Sequence, residues 1–417
     1  MDSMPDSTAP ERGGFGGHAR GDRDYRRALI ALFFAGVATF AQLYSPQAVL
    51  PQISEQLGIG AADSALLVSA ATIGLAAGVI PWSMAADRFG RVRAMTVATV
   101  GATSLALVIP FLPTLPLLIG ARLVEGALVG GVPAVAIAYL SEEIAPAHVA
   151  RAAATYIAGT SIGGLSGRLV SGPVADLVDV LPLDHDALPG WRAGMLAVAV
   201  LCAAAAIVFI RLVPAARSRH GPAVGIARTL GRHLRDPRLL ALYAQGLLLM
   251  GGFVAMYNYL AFRLVAAPYD LSPALVSLIF VAYLAGTWSS SRAGSLVGRF
   301  GRRSVLLGGS LVMLAGVAMT MASAVVVIVA GLVVATAGFF AAHAIASGWT
   351  GVAAAQGKAQ SSSLYNLAYY GGSSLFGWLG GVFFTAAGWT GTAGMVAALV
   401  VVAVAVTLLV LPREARR

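Results

Sequence analysis

Arg122 and Glu125 stand three residues apart inside an apolar run spanning 115–140. On a helix that spacing places both side chains on one face. An ionisable group at bilayer depth is costly, so each is the natural partner of the other. Protonating Glu125 would leave Arg122 unpaired and free to meet an anionic or polar molecule, linking a proton to a ligand through one charge. The competing reading is a static ion pair that pins its helix against the neighbours. His343, in the run 325–350, titrates near neutral pH and is either a second proton relay or a neutral, satisfied core histidine.

Other chemistries find little footing. The one lysine, Lys358, follows Gly357, but a phosphate-binding P-loop needs glycine where Val352 stands and Ser or Thr where Ala359 stands, so no ATP site is expected. No nucleophile, base and orienting group occur as a set, which argues against an enzyme. No metal or cofactor is expected. The lone cysteine, Cys202, has no disulfide partner within the chain and reads as an inert buried thiol.

These residues must be positioned by membrane-crossing helices. Of the 417 residues 58% are hydrophobic and 11% charged, against roughly 25% charged in an average globular domain. About 20 apolar residues cross a bilayer. Apolar runs divided by breakers and charges predict spans at 28–49, 64–86, 94–112, 115–140, 151–175 and 191–213, then 238–265, 273–297, 304–323, 325–350, 361–384 and 391–411. Residues 1–27 read as a disordered tail rather than a signal peptide. Residues 214–237, with Arg217, Arg219, His220, Arg228, Arg232 and Arg235, read as a linker, and 412–417 as a second tail.

The net charge of +10 does not point to nucleic acid, because the basic residues form short clusters between apolar runs with no aromatic-interleaved face. With the N-terminus inside, all but five of the 28 Lys and Arg residues fall in the tails or in loops on that side; the exceptions are Arg122, Arg168, Arg192, Arg263 and Arg292. The longest outer loop is acidic, with Asp176, Asp179, Asp184 and Asp186. Positive loops stay in the cytoplasm, so both termini are expected there.

The two halves echo each other. Arg88-Phe-Gly-Arg91 recurs as Arg299-Phe-Gly-Arg302 at a spacing of 211, and Gly190-Trp191 recurs as Gly388-Trp389. Internal repeats of this kind mark carriers whose binding site lies at the repeat interface. Three stretches resemble the major facilitator superfamily. After span 2, Ser83-Met-Ala-Ala-Asp87-Arg88-Phe-Gly90-Arg91 resembles its loop signature, with Ser83 and Ala85 where Gly and Leu are usual. In span 4, Arg122-Leu-Val-Glu125-Gly126 resembles its second signature, with Glu in place of Gln. In span 5, Gly159-Thr-Ser-Ile-Gly163-Gly164-Leu-Ser-Gly167-Arg168 resembles the exporter motif, with Gly164 in place of Pro and Arg168 in place of Gly.

The resemblance covers essentially the whole membrane-spanning length and implies an all-α membrane protein of twelve transmembrane helices in two pseudo-symmetric six-helix bundles. It implies a multi-pass carrier of the bacterial inner membrane, monomeric, working by alternating access. A bacterial efflux-permease branch is the nearest likeness, so proton-coupled export of a small amphiphilic or drug-like compound is expected. A proton-coupled or facilitative importer of a sugar or metabolite, and a non-transporting receptor, are the alternatives. In the family the carboxylate at Asp87 latches the halves on the inner side. A contact with the positive dipole end of span 11, at Ser361-Ser362-Ser363, would give that latch a physical basis.

The glycines Gly159, Gly163, Gly164 and Gly167 predict a seam that lets another helix come close. Arg168, about 25 Å above Arg151 along its helix, is expected to snorkel to the outer headgroups. Polar and aromatic residues that interrupt the spans are candidates for lining the central cavity: Gln42, Tyr44, Gln245, Tyr257, Asn258, Tyr283, Tyr365, Asn366, Tyr369 and Tyr370.

Overall fold

A computed structural model describes residues 17–182, 188–216 and 226–413. The first 16 residues of the tail, Asp184 and Asp186 of the acidic loop, Arg217, Arg219 and His220 of the linker and residues 414–417 lie outside them.

The helices follow the punctuation of the sequence. α1 (Arg23–Leu43) stops ahead of Pro46, because a proline disfavours helical backbone in the residue before it and clashes one turn back. A turn leads to α2 (Leu50–Leu57), closed by Gly58 at φ 62°. α3 (Ala61–Phe89) and α4 (Arg91–Val108, extended by one 3₁₀ turn) meet at Gly90. α5 (Leu115–Val129) and α6 (Pro133–Glu143) divide the expected span 4, since Pro133 cannot donate the backbone bond that would continue α5. α7 (Pro146–Val180) and α8 (Gly190–Leu212) complete the first half, and the short α9 (Ile226–His233) lies between the halves.

The second half is α10 (Pro237–Val265), α11 (Pro273–Ser277) joined through a 3₁₀ turn to α12 (Tyr283–Phe300), α13 (Arg302–Met319), α14 (Val325–Ala353) and α15 (Lys358–Val410). Helix α15 is two spans run together. Its backbone leaves the helix only at Ala387 and Gly388, the latter at φ 57°, so the kink sits on the Gly-Trp dipeptide that repeats between halves.

Among the described residues ten helical segments are long and apolar enough to cross a bilayer, and the last of them, Gln360–Val410, is long enough for two crossings. α7 makes the twelfth; its glycines, hydroxyls and Arg168 dilute its apolar content. Large apolar side chains are exposed along the spans: Ile80, Val97, Val326, Leu408 and Leu409 are ones that water would penalise and hydrocarbon does not.

The packing pattern repeats. α1 packs on α7 as α10 packs on the first part of α15, and α3 packs on α5 as α12 packs on α14. The halves meet where α3 crosses α15 and where α7 crosses α11. Close approach depends on glycine at a few points: a Cβ at Gly126 would lie 2.0 Å from the Ala71 carbonyl oxygen, and one at Gly167 would lie 2.2 Å from that of Ala41.

The repeated loop is a shared turn. Gly90 (φ 97°) and Gly301 (φ 76°) each end one helix and begin the next. A side chain there strains the backbone by about 1–2 kcal/mol. Gly90→Ala is therefore expected to lower thermal stability in detergent, whereas Gly298→Ala, in the last turn of α12 with nothing within 4 Å of the added methyl, is expected to be neutral or stabilising. Equal losses in both variants would refute the turn argument.

Candidate functional site

The end of α1 creates the first part of the site. Where α1 stops, its last carbonyls have no helical donor. Arg122 supplies donors: Nη1 to the Gln42 oxygen at 3.0 Å and Nη2 to the Leu43 oxygen at 2.5 Å. Its Nε donates to the Leu67 oxygen of α3 at 2.9 Å. Nη1 also meets Glu125 Oε2 at 2.6 Å, and both side chains are 1% exposed. The other carboxylate oxygen, Oε1, has no hydrogen-bond partner, and neither side-chain atom of nearby Gln42 has one. The pair thus ties α1, α3 and α5 together while keeping one acceptor unspent.

Arg168 departs from expectation. Instead of snorkelling it is 2% exposed, with Nε donating to Gln47 Oε1 at 2.6 Å and Nη1 to the Gly164 oxygen at 2.7 Å. Its guanidinium lies over three rings, Tyr44 at 4.0 Å, Tyr283 at 4.8 Å and Phe280 at 5.1 Å. The expectation treated α7 as a lone rod in lipid. In the fold α11, α12 and the end of α1 enclose this stretch, and headgroups are out of reach.

Three of the four motif glycines of α7, Gly159, Gly163 and Gly167, do face another helix closely, and it is α1 of the same half. The seam therefore stiffens that half rather than separating the two. Gly164 is different: a Cβ there would meet only Arg168 Nη1 at 3.4 Å and Tyr44 at 3.9 Å.

Of the cavity candidates, Tyr257, Tyr283, Tyr365, Tyr369 and Tyr370 join one aromatic cluster, and Tyr44 reaches it through the Arg168 guanidinium. Tyr283 touches Tyr257 (centroids 5.1 Å) and Phe253 (5.4 Å), Phe253 stacks on Phe339 at 4.0 Å, and Phe339 stacks on His343 at 5.7 Å. His343 Nδ1 lies 2.9 Å from the Tyr365 hydroxyl, and Tyr369 packs on the imidazole at 4.7 Å and on Tyr370 at 5.2 Å. Tyr257 shares a hydrogen bond with Thr336 at 2.8 Å. The amide candidates, Gln42, Gln245, Asn258 and Asn366, fall outside. Gln245 donates to the Ala403 oxygen at 2.9 Å, which turns it into the packing against the last span, and Asn366 is an exposed side chain that joins no ring of the cluster. Periodicity marks a polar residue in a span but not which neighbour its face meets.

Asn258 belongs to a closure. Gln47 Nε2 donates to Asn258 Oδ1 at 2.6 Å across 211 residues of chain, joining the halves. Thr72 and Ser374 share a 2.7 Å hydrogen bond, and Ser374 donates to the Ser69 oxygen at 3.0 Å. Gly381 sits against Ala62, and Gly172 against Ser277. All these contacts occupy the membrane half away from the two chain ends. In the other half, polar side chains within the spans, such as Ser161, Thr287, Ser291 and Ser362, are exposed. Gln47 escaped the sequence reading; the signal was its place just beyond Pro46, a polar residue where an interrupted span bends.

At the loop signature, Asp87 pairs with Arg91 at 2.6 Å, and Arg91 pairs in turn with Glu142 at 2.9 Å. The expected contact of Asp87 with the start of span 11 is not made; Ser361 there bonds to Tyr243 instead. Arg88 lies over the Phe89 ring at 5.3 Å, as Arg299 lies over Phe300 at 5.1 Å.

Residues 32–286 match the family model described as Major Facilitator Superfamily. The chain belongs to the major facilitator superfamily. Over 93% of its length it is 44% identical to the inner membrane transport protein YnfM of Escherichia coli K12, covering 91% of that protein. It is 33% identical to the uncharacterized MFS-type transporter YybF of Bacillus subtilis 168, over 92% of this chain and 93% of the other. Among solved structures, a bacterial homologue of the human lysosomal transporter Spinster, in an inward-facing and occupied conformation, superposes with a TM-score of 0.78 at 16% identity, covering 94% of this chain and 97% of the other. The all-helical, twelve-span carrier fold expected from the sequence is thus shown, and the superfamily consists of transporters of small molecules, not enzymes.

Proposed function

We propose that this major facilitator protein is a secondary active transporter of the bacterial inner membrane. It exports a small organic compound in exchange for protons while rocking residues 28–213 against 238–411 across the linker 214–237. The observation that carries the proton half of the reading is the buried Arg122–Glu125 pair, whose carboxylate keeps one oxygen unpartnered. A carboxylate beside an arginine at bilayer depth changes the pairing of that arginine when it takes a proton. Such a change alters which packing of the two halves is favoured, as a population shift requires. His343, bonded to Tyr365 in the aromatic cluster, is a second proton-carrying position.

With both termini cytoplasmic, as the basic loops indicate, the closed half of the membrane is the outer one, and the conformation described faces inward. The Asp87 latch belongs to the opposite state: here the carboxylate is held by Arg91, and closing the inner side would bring it to the start of span 11. Asp87→Asn is expected to raise the inward-facing population. Labelling of single cysteines at the inner and outer mouths reads this out, and unaltered accessibility of both would refute the latch.

The function as a whole is tested by reconstituting the protein in liposomes, imposing a pH step and screening organic compounds for induced proton movement. Movement driven by one compound class supports the carrier; silence across every class would favour a receptor. A monomer should suffice for the activity.

A further inference from the structure

We propose that Arg168 receives the carboxylate of an organic-acid substrate whose apolar or aromatic body lies on the tyrosine and phenylalanine cluster. This rests on the transport reading above and names the chemical class carried. A buried cation is tolerated when it is paired, and removing the partner of a buried pair is strongly destabilising. Arg122 and Arg168 are the two fully buried arginines among the described residues. Arg122 has Glu125. Arg168 has no carboxylate within 4.0 Å among the described residues; its partners are the neutral oxygens of Gln47 and Gly164 and three ring faces.

Those partners use Nε and Nη1, and Nη2 makes no hydrogen bond. Access is built in. Ile157, Ser161, Gly164 and Arg168 recur at helical spacing on one face of α7, and Ile157 and Ser161 are exposed. At Gly164 the missing side chain leaves space beside the guanidinium. A planar carboxylate matches a guanidinium edge, and one cation balances one negative charge; a phosphate monoester would need a second cation, and Arg122 is already paired. The rings from Tyr283 through Phe253 and Phe339 to His343 give the rest of the ligand an apolar surface with few polar contacts. A carboxylate arriving here competes with Gln47 for the guanidinium, and Gln47 holds Asn258 of the other half. Ligand binding therefore acts on the contact that closes the outer side.

The test measures thermal unfolding of the purified full chain in detergent, titrated with phenylacetate, benzoate and octanoate, their amides, the matching amines, and phenyl phosphate. A ligand that binds only the folded chain raises its melting temperature. Carboxylates alone are expected to stabilise. The concentration needed should rise about tenfold or more in Arg168→Gln, which loses a charge-assisted pair, and less in Arg168→Lys, which keeps the charge. Gly164→Ala, whose methyl meets little besides Nη1, should keep the unliganded melting temperature of the wild type while weakening carboxylate binding several-fold. Stabilisation by amides, amines or phenyl phosphate equal to that by carboxylates, wild-type affinity in Arg168→Gln and Gly164→Ala, or no response to any carboxylate at millimolar concentration would each overturn the inference. Because the readout is binding, these failures are distinct from absence of flux in liposomes, which would count against the transport reading.

Discussion

Glu125→Gln is expected to abolish proton-driven transport, lowering uphill flux about a hundredfold, to the background of empty liposomes, while exchange of substrate down its own gradient continues. The glutamine keeps the shape of the side chain and can still accept from Arg122, and Arg122 retains its three backbone acceptors, Gln42, Leu43 and Leu67. What disappears is the ability to gain and lose a proton. The pair has no other carboxylate to take over, since Arg122 and Glu125 are bonded to each other and otherwise only to backbone. Proteoliposomes loaded with a pH-sensitive dye separate the two activities. Wild-type proton flux per substrate in the variant would show that the pair merely fastens α5 to α1 and α3, and the coupling site would have to be sought elsewhere.

The second large effect is expected from a reversible cross-link. The hydroxyls of Thr72 and Ser374 lie 2.7 Å apart, on α3 and α15 of opposite halves. Cysteines at both positions would place their sulfurs where these hydroxyls now meet, within reach of the bond that a disulfide forms. The one native thiol, Cys202, is buried and offers no competing partner. Oxidising Thr72→Cys/Ser374→Cys should hold the outer side shut and reduce transport to background, and a reducing agent should restore it. A carrier that must open this side cannot turn over while it is tied. Undiminished flux in the fully cross-linked protein would mean that these helices need not part, and alternating access across this interface would fail with them.

Both predictions draw on residues of unequal legibility. Arg122 and Glu125 could be paired from sequence because helical periodicity brings residues three apart onto one face, and lipid leaves such charges few alternatives. The turn at Arg88-Phe-Gly-Arg91 was equally plain, since a glycine between two apolar runs with a copy 211 residues later marks a shared geometry. Thr72 and Ser374 carried no such mark: each is one hydroxyl among many small residues, and their meeting spans 302 positions. Arg168 was visible as an anomaly in its motif but misplaced, because its distance from the helix end was legible and its enclosure by Tyr44, Phe280 and Tyr283 was not.

The number of crossings, their approximate limits, the repeat and the superfamily were determined by the amino-acid sequence alone. The bilayer acts on each segment separately, so apolar length and charge placement can be read along one dimension. The tertiary structure decided which side of each helix meets which neighbour: the enclosure of Arg168, the departure of Gln245 and Asn366 from the cluster, the Gln47–Asn258 closure and the present partner of Asp87. Those contacts depend on how far each helix is rotated about its axis and how near its small residues let another come. Rotation and approach are settled jointly by packing among all twelve spans, and no single stretch of sequence contains them.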